Sequence, residues 1–210
     1  IPLDPCDATE VAGLCAEKGV DLVIVGPEGP LASGVVDVLR RAGVRVLGPG
    51  QSAARLESSK AFAKGFLTRH GIPTAPGRIC ASPEEAAAAL EAMKFPLVVK
   101  ADGLAAGKGV RVCQDREEAE ETVEDFMRLK TLQAAGETVV IEECLCGPEL
   151  SVLALVDGRT YKLLPHSRDH KRLLDGDKGP NTGGMGAFAP VEIAAPFEDG
   201  VKAILDATLA

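Results

Sequence analysis

Aromatic side chains are scarce: they make up 3% of the 210 residues, with six Phe, one Tyr and no Trp. A core must therefore be built from Ala, Val and Leu. Positive charge is also in deficit. The 23 Lys and Arg against 31 Asp and Glu leave a formal net charge of −8, which argues against a general nucleic-acid surface, since that needs a basic face. No apolar run approaches the ~18 residues needed to cross a bilayer, so no membrane partner is expected. The six cysteines, at positions 6, 15, 80, 113, 144 and 146, show no C-x-x-C pair and no zinc spacing. Cys15, Cys113 and Cys144 sit among apolar neighbours, where a free thiol behaves as a small hydrophobe, and unpaired thiols suit the reducing cytoplasm. There is no G-x-S-x-G and no Ser or Cys paired with His as a triad. The chain opens on Ile1 and ends in the helix-like "VKAILDATLA", so it reads as a piece of a longer protein.

What is present falls into two patterns. "ATEVAGLCAEKGV" has helical spacing closed by Gly19, "DLVIVG" reads as a buried strand, "LASGVVDVLRRAG" as a helix and "VRVLGP" as a second buried strand. Strand, helix, strand at this spacing is a βαβ unit of a parallel sheet. Ligands of such sheets lie beyond the carboxyl ends of the strands, where Gly26–Glu28 and Gly48–Gly50 fall. "SSKAFAKGFLTRHGIPTAP" follows as a helix capped by Ser58 or Ser59 and ended by Gly71, then a Pro-marked linker. After it the pattern changes. "SPEEAAAALEAMK" is a helix with Ser82 as cap and Pro83 in first position, and "FPLVVKA" and "VRVC" are a strand and its return. "DREEAEETVEDFMRLK" is a helix, "TVVIEEC" a strand, and "ELSVLALVDGRTYKLLP" a hairpin across Asp157-Gly158. This middle portion is α+β and mostly antiparallel, with boundaries near residues 72–78 and 150.

Three stretches could carry chemistry. "KADGLAAGKGV" places Lys100 at a strand end before Gly103, Gly107 and Gly109, with Lys108 between the last two. A strand-end lysine is a fixed point charge suited to phosphate, and glycines allow φ > 0 and close approach, so N–H groups can face an anion. The spacing fits neither the P-loop nor G-x-G-x-x-G, and taken alone a glycine-rich hairpin with lysines is more often a plain turn between two strands. "VVIEECLCGPEL" offers Glu142 and Glu143 at a strand end, where a carbonyl or carboxylate can accept from adenine, and Glu149 seven residues on from Glu142 for ribose hydroxyls; an exposed acidic strand end is the alternative. "SRDHKRLLDGDKGPNTGGMGAFAP" packs Asp169, His170, Lys171 and Arg172 before a loop too polar for a core strand. His166 and His170 lack a third ligand at suitable spacing, so no metal site is assigned to them.

Taken together and in order, "DLVIVGPEGPLASGVVDVLRRAGVRVLGP", "ESSKAFAKGFLTRHGIPTA", "VVKADGLAAGKGV", "VVIEECLCGPELSVLALVDG" and "DHKRLLDGDKGPNTGGMGAFAP" resemble the phosphoribosylamine–glycine ligase family of the ATP-grasp superfamily. The resemblance implies an α/β chain: a partial Rossmann-like (pre-ATP-grasp) parallel domain over 1–59, then an ATP-grasp fold with an α+β lid over 78–150. Residues 60–77 and 151–210 would begin the large ATP-grasp subdomain. It implies ATP-dependent ligation of glycine to 5-phosphoribosylamine through glycyl phosphate. Lys60 and Lys100 would reach ATP phosphates. Gly103, Gly107, Lys108 and Gly109 would belong to the mobile loop that covers them, Glu142 and Leu145 to the adenine hinge, and Glu149 to the ribose. Glu28, Asp169, Lys171, Arg172, Asn181, Thr182, Gly183 and Gly184 would line the substrate side. The family's Mg2+ ligands lie in a later stretch, beyond Ala210, and its first glycine-rich turn lies before Ile1, so this piece alone is not expected to turn over. The cysteines of "ECLCG" replace apolar or acidic residues expected in the hinge. Two other readings are another ATP-grasp ligase or carboxylase, and a nucleotide-binding domain without catalysis.

Overall fold

The computed structural model describes residues 2–105, 107–158, 160–176 and 178–210, and the backbone alone of residues 180 and 181. Helix α1 (Ala8–Lys18) starts where the Asp7 carboxylate accepts the N–H groups of Thr9 and Glu10, and stops at Gly19, whose φ is 60°. Strand β1 (Val23–Ile24) leads to α2 (Glu28–Ser33), α3 (Val35–Arg41) and β2 (Val46–Leu47). The single helix expected over "LASGVVDVLRRAG" is two: Gly34, at φ 85°, breaks it. β1 and β2 pair in parallel, Val23 opposite Val46, and a small core of Cys15, Val35 and Leu39 closes beneath them. The two strands are not buried as expected. Ile24 is 68% exposed, because the described sheet has only these two strands and one face of β1 is uncovered.

Helix α4 (Gln51–Ser58) was not read from the sequence; its N-terminal residue Gln51 donates its backbone N–H to Asp37 at 2.8 Å. Of the two cap candidates, Ser59 caps α5 (Lys60–Arg69), its hydroxyl accepting from Phe62 N–H. The helix ends at Arg69, before Gly71. The Pro-marked linker then gives way to a further unread strand, β3 (Gly77–Cys80), with three of its four residues exposed. Without an apolar alternation of its own, β3 is held by its partner.

Next come α6 (Pro83–Ala92), β4 (Leu97–Ala101), β5 (Val110–Cys113), α7 (Arg116–Val123), a π-helical turn (Glu124–Arg128), a 3-10 turn (Gln133–Gly136) and β6 (Val139–Glu143). The helix read as running to Lys130 therefore ends as α-helix at Val123. β3, β6, β4 and β5 form one sheet in that order, every pair antiparallel. Strand alternation splits it into two faces. Leu97, Val99, Ala101, Val139 and Ile141 join Ala86, Ala89, Leu90, Ala119 and Phe126 in a core under α6 and α7. Val98, Lys100, Val140 and Glu142 point the other way, toward α5, which packs on β6.

Small residues let this aromatic-poor core close. A Cβ on Gly136 would stand 2.3 Å from the Phe126 carbonyl oxygen, and one on Gly77 would stand 2.6 Å from the Glu142 Cβ. Beyond residue 150 the described strands pair in twos: β7 (Ala154–Val156) with β8 (Tyr161–Leu163), β9 (Arg168–Asp169) with β12 (Ala187–Phe188), and β10 (Arg172–Leu174) with β11 (Lys178–Asn181). Helix α8 (Ala195–Leu209) completes the chain. Among the described residues no helix is long and apolar enough to cross a membrane.

The core assignment is open to a direct test. Phe126→Ala removes a fully buried ring and should cost about 3–5 kcal/mol, read as a lower urea midpoint. Phe197→Ala, at an exposed position, should move it by no more than about 0.5 kcal/mol. Equal effects would contradict the placement of this core.

Candidate nucleotide-binding site

The register of β4 and β6 sets Lys100 opposite Val140 and Val98 opposite Glu142, so Lys100 and Glu142 are diagonal neighbours on one face. Their side chains form an ion pair, Lys100 Nζ to Glu142 Oε1. Lys64 of α5 meets the other oxygen, Oε2, at 2.5 Å. Lys64 also donates to Thr74 Oγ1 at 2.9 Å and to the Ala75 carbonyl at 2.6 Å. The Lys64 and Glu142 side chains are only 9% and 8% exposed, and that of Lys100 is 30%. Burial alone would raise the Glu142 carboxyl pKa. The hydrogen bonds from Lys100 and Lys64 outweigh it and hold the group below the usual carboxylate range. Glu142, read as an acceptor for adenine, instead gives both oxygens to lysines.

Lys60 is brought to the same region by a clamp that the sequence reading missed. Asp102, the residue after β4, accepts from Ser59 Oγ at 2.9 Å and from Ala61 N–H at 2.7 Å. Its carbonyl accepts the Lys60 N–H at 3.1 Å. The first turn of α5 is thus pinned to the end of β4, and Lys60 Nζ reaches the Gly103 carbonyl at 3.3 Å. Burial lowers the Lys60 pKa; Asp102 and Glu57 oppose the shift and the Lys100 charge adds to it. Two lysines far apart in sequence therefore converge at the glycine loop.

The three glycines of that loop do different work from that expected. Only Gly107 has positive φ, 80°, with open space where a Cβ would stand. Gly103 donates its N–H to Ala135 at 3.3 Å, and its missing Cβ would fall 2.9 Å from the Ala135 Cβ. Gly109 packs against Ala105 and Ala101 in the same way. Close packing accounts for the lack of a side chain at those two. Gly107 and Lys108 line a cavity of 570 Å³ with Arg111 of β5 and, from β10, Arg172.

Downstream of β6, Leu145 and Glu149 are mostly solvent-exposed. Burial pushes the Cys144 thiol up, with Cys146 adding to the shift. The Glu149 carbonyl accepts from Arg168 Nε at 2.8 Å and its carboxylate lies 3.9 Å from Lys171 Nζ, which ties the segment to β9. Asp169 pairs with Lys171, and the hydrogen bond from Lys171 holds its carboxyl low. Arg172 donates to the Gly179 carbonyl at 2.8 Å. Thr182 binds the Lys171 carbonyl through its N–H and hydroxyl, and its Oγ1 accepts from Gly184 N–H at 3.0 Å. Gly183 is exposed and open on its missing side-chain face. The Asn181 side chain lies outside the described residues. Glu28 does not join this group: it lines a separate 570 Å³ cleft with Leu31, Leu47, Leu155 and Leu209. Among the described residues no cluster of three His, Cys, Asp or Glu could hold a metal.

The buried carboxylate has a pH signature. Its folded pKa lies below the unfolded value, so its stabilising effect is complete above about pH 4.3, the ordinary glutamate value, and is lost as pH falls through the lowered folded value. Glu142→Gln should therefore flatten the fall in urea midpoint between about pH 6 and pH 3. Parallel curves for variant and parent would refute the depressed pKa.

Comparison with known proteins gives the family. The family model for the phosphoribosylglycinamide synthetase ATP-grasp (A) domain matches residues 58–210, and that for the N domain of the same synthetase matches residues 1–57. The human trifunctional purine biosynthetic protein adenosine-3 is 56% identical over 185 residues, 88% of this chain and 18% of that protein. A phosphoribosylamine–glycine ligase of Ralstonia nicotianae is 48% identical over 190 residues, 90% of this chain and 45% of that enzyme. The chain thus spans less than half the length of these relatives. The crystal structure of a phosphoribosylamine–glycine ligase from Thermotoga maritima superposes with a TM-score of 0.74 at 44% identity, covering 79% of this chain and 42% of that one. The biotin carboxylase domain of a Hydrogenobacter thermophilus 2-oxoglutarate carboxylase, solved with MgADP, shares the fold at 23% identity, covering 100% of this chain and 47% of that one, with a TM-score of 0.73. The chain has an ATP-grasp fold and belongs to the phosphoribosylglycinamide synthetase family.

Proposed function

We propose that this chain is the nucleotide-binding part of a ligase that joins glycine to 5-phosphoribosylamine at the expense of ATP. The observation that carries this reading is the convergence of Lys60 and Lys100 at the glycine loop, one strand away from the Glu142–Glu149 segment. Glycine's carboxylate attacks the γ-phosphorus and ADP leaves; the amine of phosphoribosylamine then attacks the glycyl phosphate and phosphate leaves. Such a transfer asks for positioning and for neutralised phosphoryl charge more than for a side-chain nucleophile.

In this reading Lys60 and Lys100 contact the phosphates, with Lys108 and Gly107 on the covering loop. Gly103 and Gly109 shape that loop by packing. The backbone at Glu142 and Leu145 meets adenine, and Glu149 takes the ribose hydroxyls once it leaves Lys171. Asp169, Lys171, Arg172 and the Asn181–Gly184 turn form one substrate wall, and Glu28 belongs to the opposite one. Residues 78–150 are the lid, supported by the four-stranded antiparallel sheet β3-β6-β4-β5, which runs from Gly77 to Glu143. Residues 1–59 are the partial Rossmann-like domain, and 60–77 with 151–210 open the large subdomain, which grips the lid through α5. Bound magnesium would neutralise phosphate charge in such a transfer, and among the described residues no cluster of three His, Cys, Asp or Glu is placed to hold it.

The test separates two roles in the full-length ligase that this reading implies. Lys100→Ala removes charge that gains value as the phosphoryl group transfers, so kcat/KM should fall by ~10²-fold or more. Glu149→Ala removes contacts equal in ground and transition states and should mainly raise KM for ATP, leaving kcat near the parent value. Phosphoribosylamine- and glycine-dependent ADP release measures both. Unchanged kinetics in the Lys100 variant would end its assignment to the phosphates.

A further inference from the structure

Lys64 lies outside every ligand-facing stretch named above, yet its ammonium is wholly committed inside the protein. An ammonium has three donors, and Lys64 directs them to Thr74 Oγ1, the Ala75 carbonyl and Glu142 Oε2. It has none left for a ligand. Glu142 offers its second oxygen to Lys100. Lys100 is the more exposed lysine, and Glu142 is its side-chain partner among the described residues, so two of its donors remain for an anion.

Charge counting gives this arrangement its meaning. Two ammoniums and one carboxylate sum to one positive charge. Take away Lys64 and the Glu142–Lys100 pair sums to zero, with Lys100 drawn wholly onto a buried anion. We infer that Lys64 is a positioning residue that neutralises Glu142 from the α5 side, leaving the Lys100 charge available to a polyphosphate. The identity of that polyphosphate as part of ATP rests on the reading above; the charge coupling does not.

Four proteins decide it: the parent chain, Lys64→Met, Lys64→Arg, and the double variant Lys64→Met/Glu142→Gln. Each is titrated calorimetrically with inorganic tripolyphosphate and with ATP, after its folding has been checked by thermal melting. Lys64→Met should weaken tripolyphosphate binding about tenfold, the scale of one charge-assisted hydrogen bond. Lys64→Arg, which keeps the charge, should retain most of the affinity. The double variant should bind tripolyphosphate within about threefold of the parent, because removing the carboxylate frees Lys100 again. A role confined to packing predicts no such recovery, and a double variant that binds as poorly as Lys64→Met would overturn the inference. Should Lys64→Met not fold, the double variant and Lys64→Arg still carry the test, and loss of binding in both would overturn it equally. A parent chain that binds tripolyphosphate as tightly as ATP would instead count against the nucleotide reading and leave the Lys64 coupling standing.

Discussion

The site depends on one carboxylate kept ionised where water is nearly absent. Taking Glu142 out of water carries a desolvation penalty that only close, well-placed partners offset. Two ammoniums supply them, one from the neighbouring strand and one from a helix on the same face of the sheet. Everything around the pair serves that distance. Gly77 lets β3 come so near that a Cβ would meet Glu142 Cβ at 2.6 Å, and Thr74 and Ala75, just before it, hold Lys64. Asp102 fixes the start of α5, and hence the rotation that turns both Lys60 and Lys64, four residues apart, toward β4 and β6.

The shortage of aromatics has a consequence for the loop. Where a Trp or Tyr would fill space, this chain brings backbones together: Gly136 against Phe126, Gly103 against Ala135, Gly109 against Ala105. Two of the three loop glycines are thereby part of the lid's packing, and the loop is anchored at both ends. Of its three glycines only Gly107, beside Lys108, takes a positive φ. In the proposed function, ends packed in this way would let the loop present Lys108 to a phosphate without unravelling the strands that carry it.

Much of this is legible in the sequence, for a physical reason. Ser82-Pro83, the apolar run Leu97–Val99 and the run Val139–Glu143 each combine a local signal with a strong burial preference, and α6, β4 and β6 appear where those signals stand. β3 carried no such signal, since its ladder partner, not its own side chains, holds it. The periodicity over 31–43 predicts a single helix because Gly34 looks tolerable inside a periodic run; its φ of 85° makes it a break. β1 was read as buried because apolar runs imply cover, and the described sheet supplies cover on one face only. Lys64 was missed because a lysine on an amphipathic helix is usually solvated. The available clue was its spacing: with Lys60 it puts two cations on one face of a helix otherwise rich in Phe and Ala.

The wider electrostatics explain why such an arrangement is needed at all. A chain with a net charge of −8 repels a polyphosphate at long range, and dissolved salt screens that repulsion within about 10 Å. Attraction has to be generated locally, where low dielectric strengthens it. Placing Lys60 beside Lys100 does so at the cost of repulsion between them, visible in the lowered Lys60 pKa, to which burial contributes first. Asp102 and Glu57 temper that repulsion at Lys60 and Glu142 does so at Lys100, but a carboxylate bonded to Lys100 alone would also cancel the charge that the proposed function needs there. A second lysine on the far side of the carboxylate resolves the conflict: Lys64 offsets the Glu142 charge from α5, and in the proposed function the Lys100 charge stays uncancelled for a phosphate.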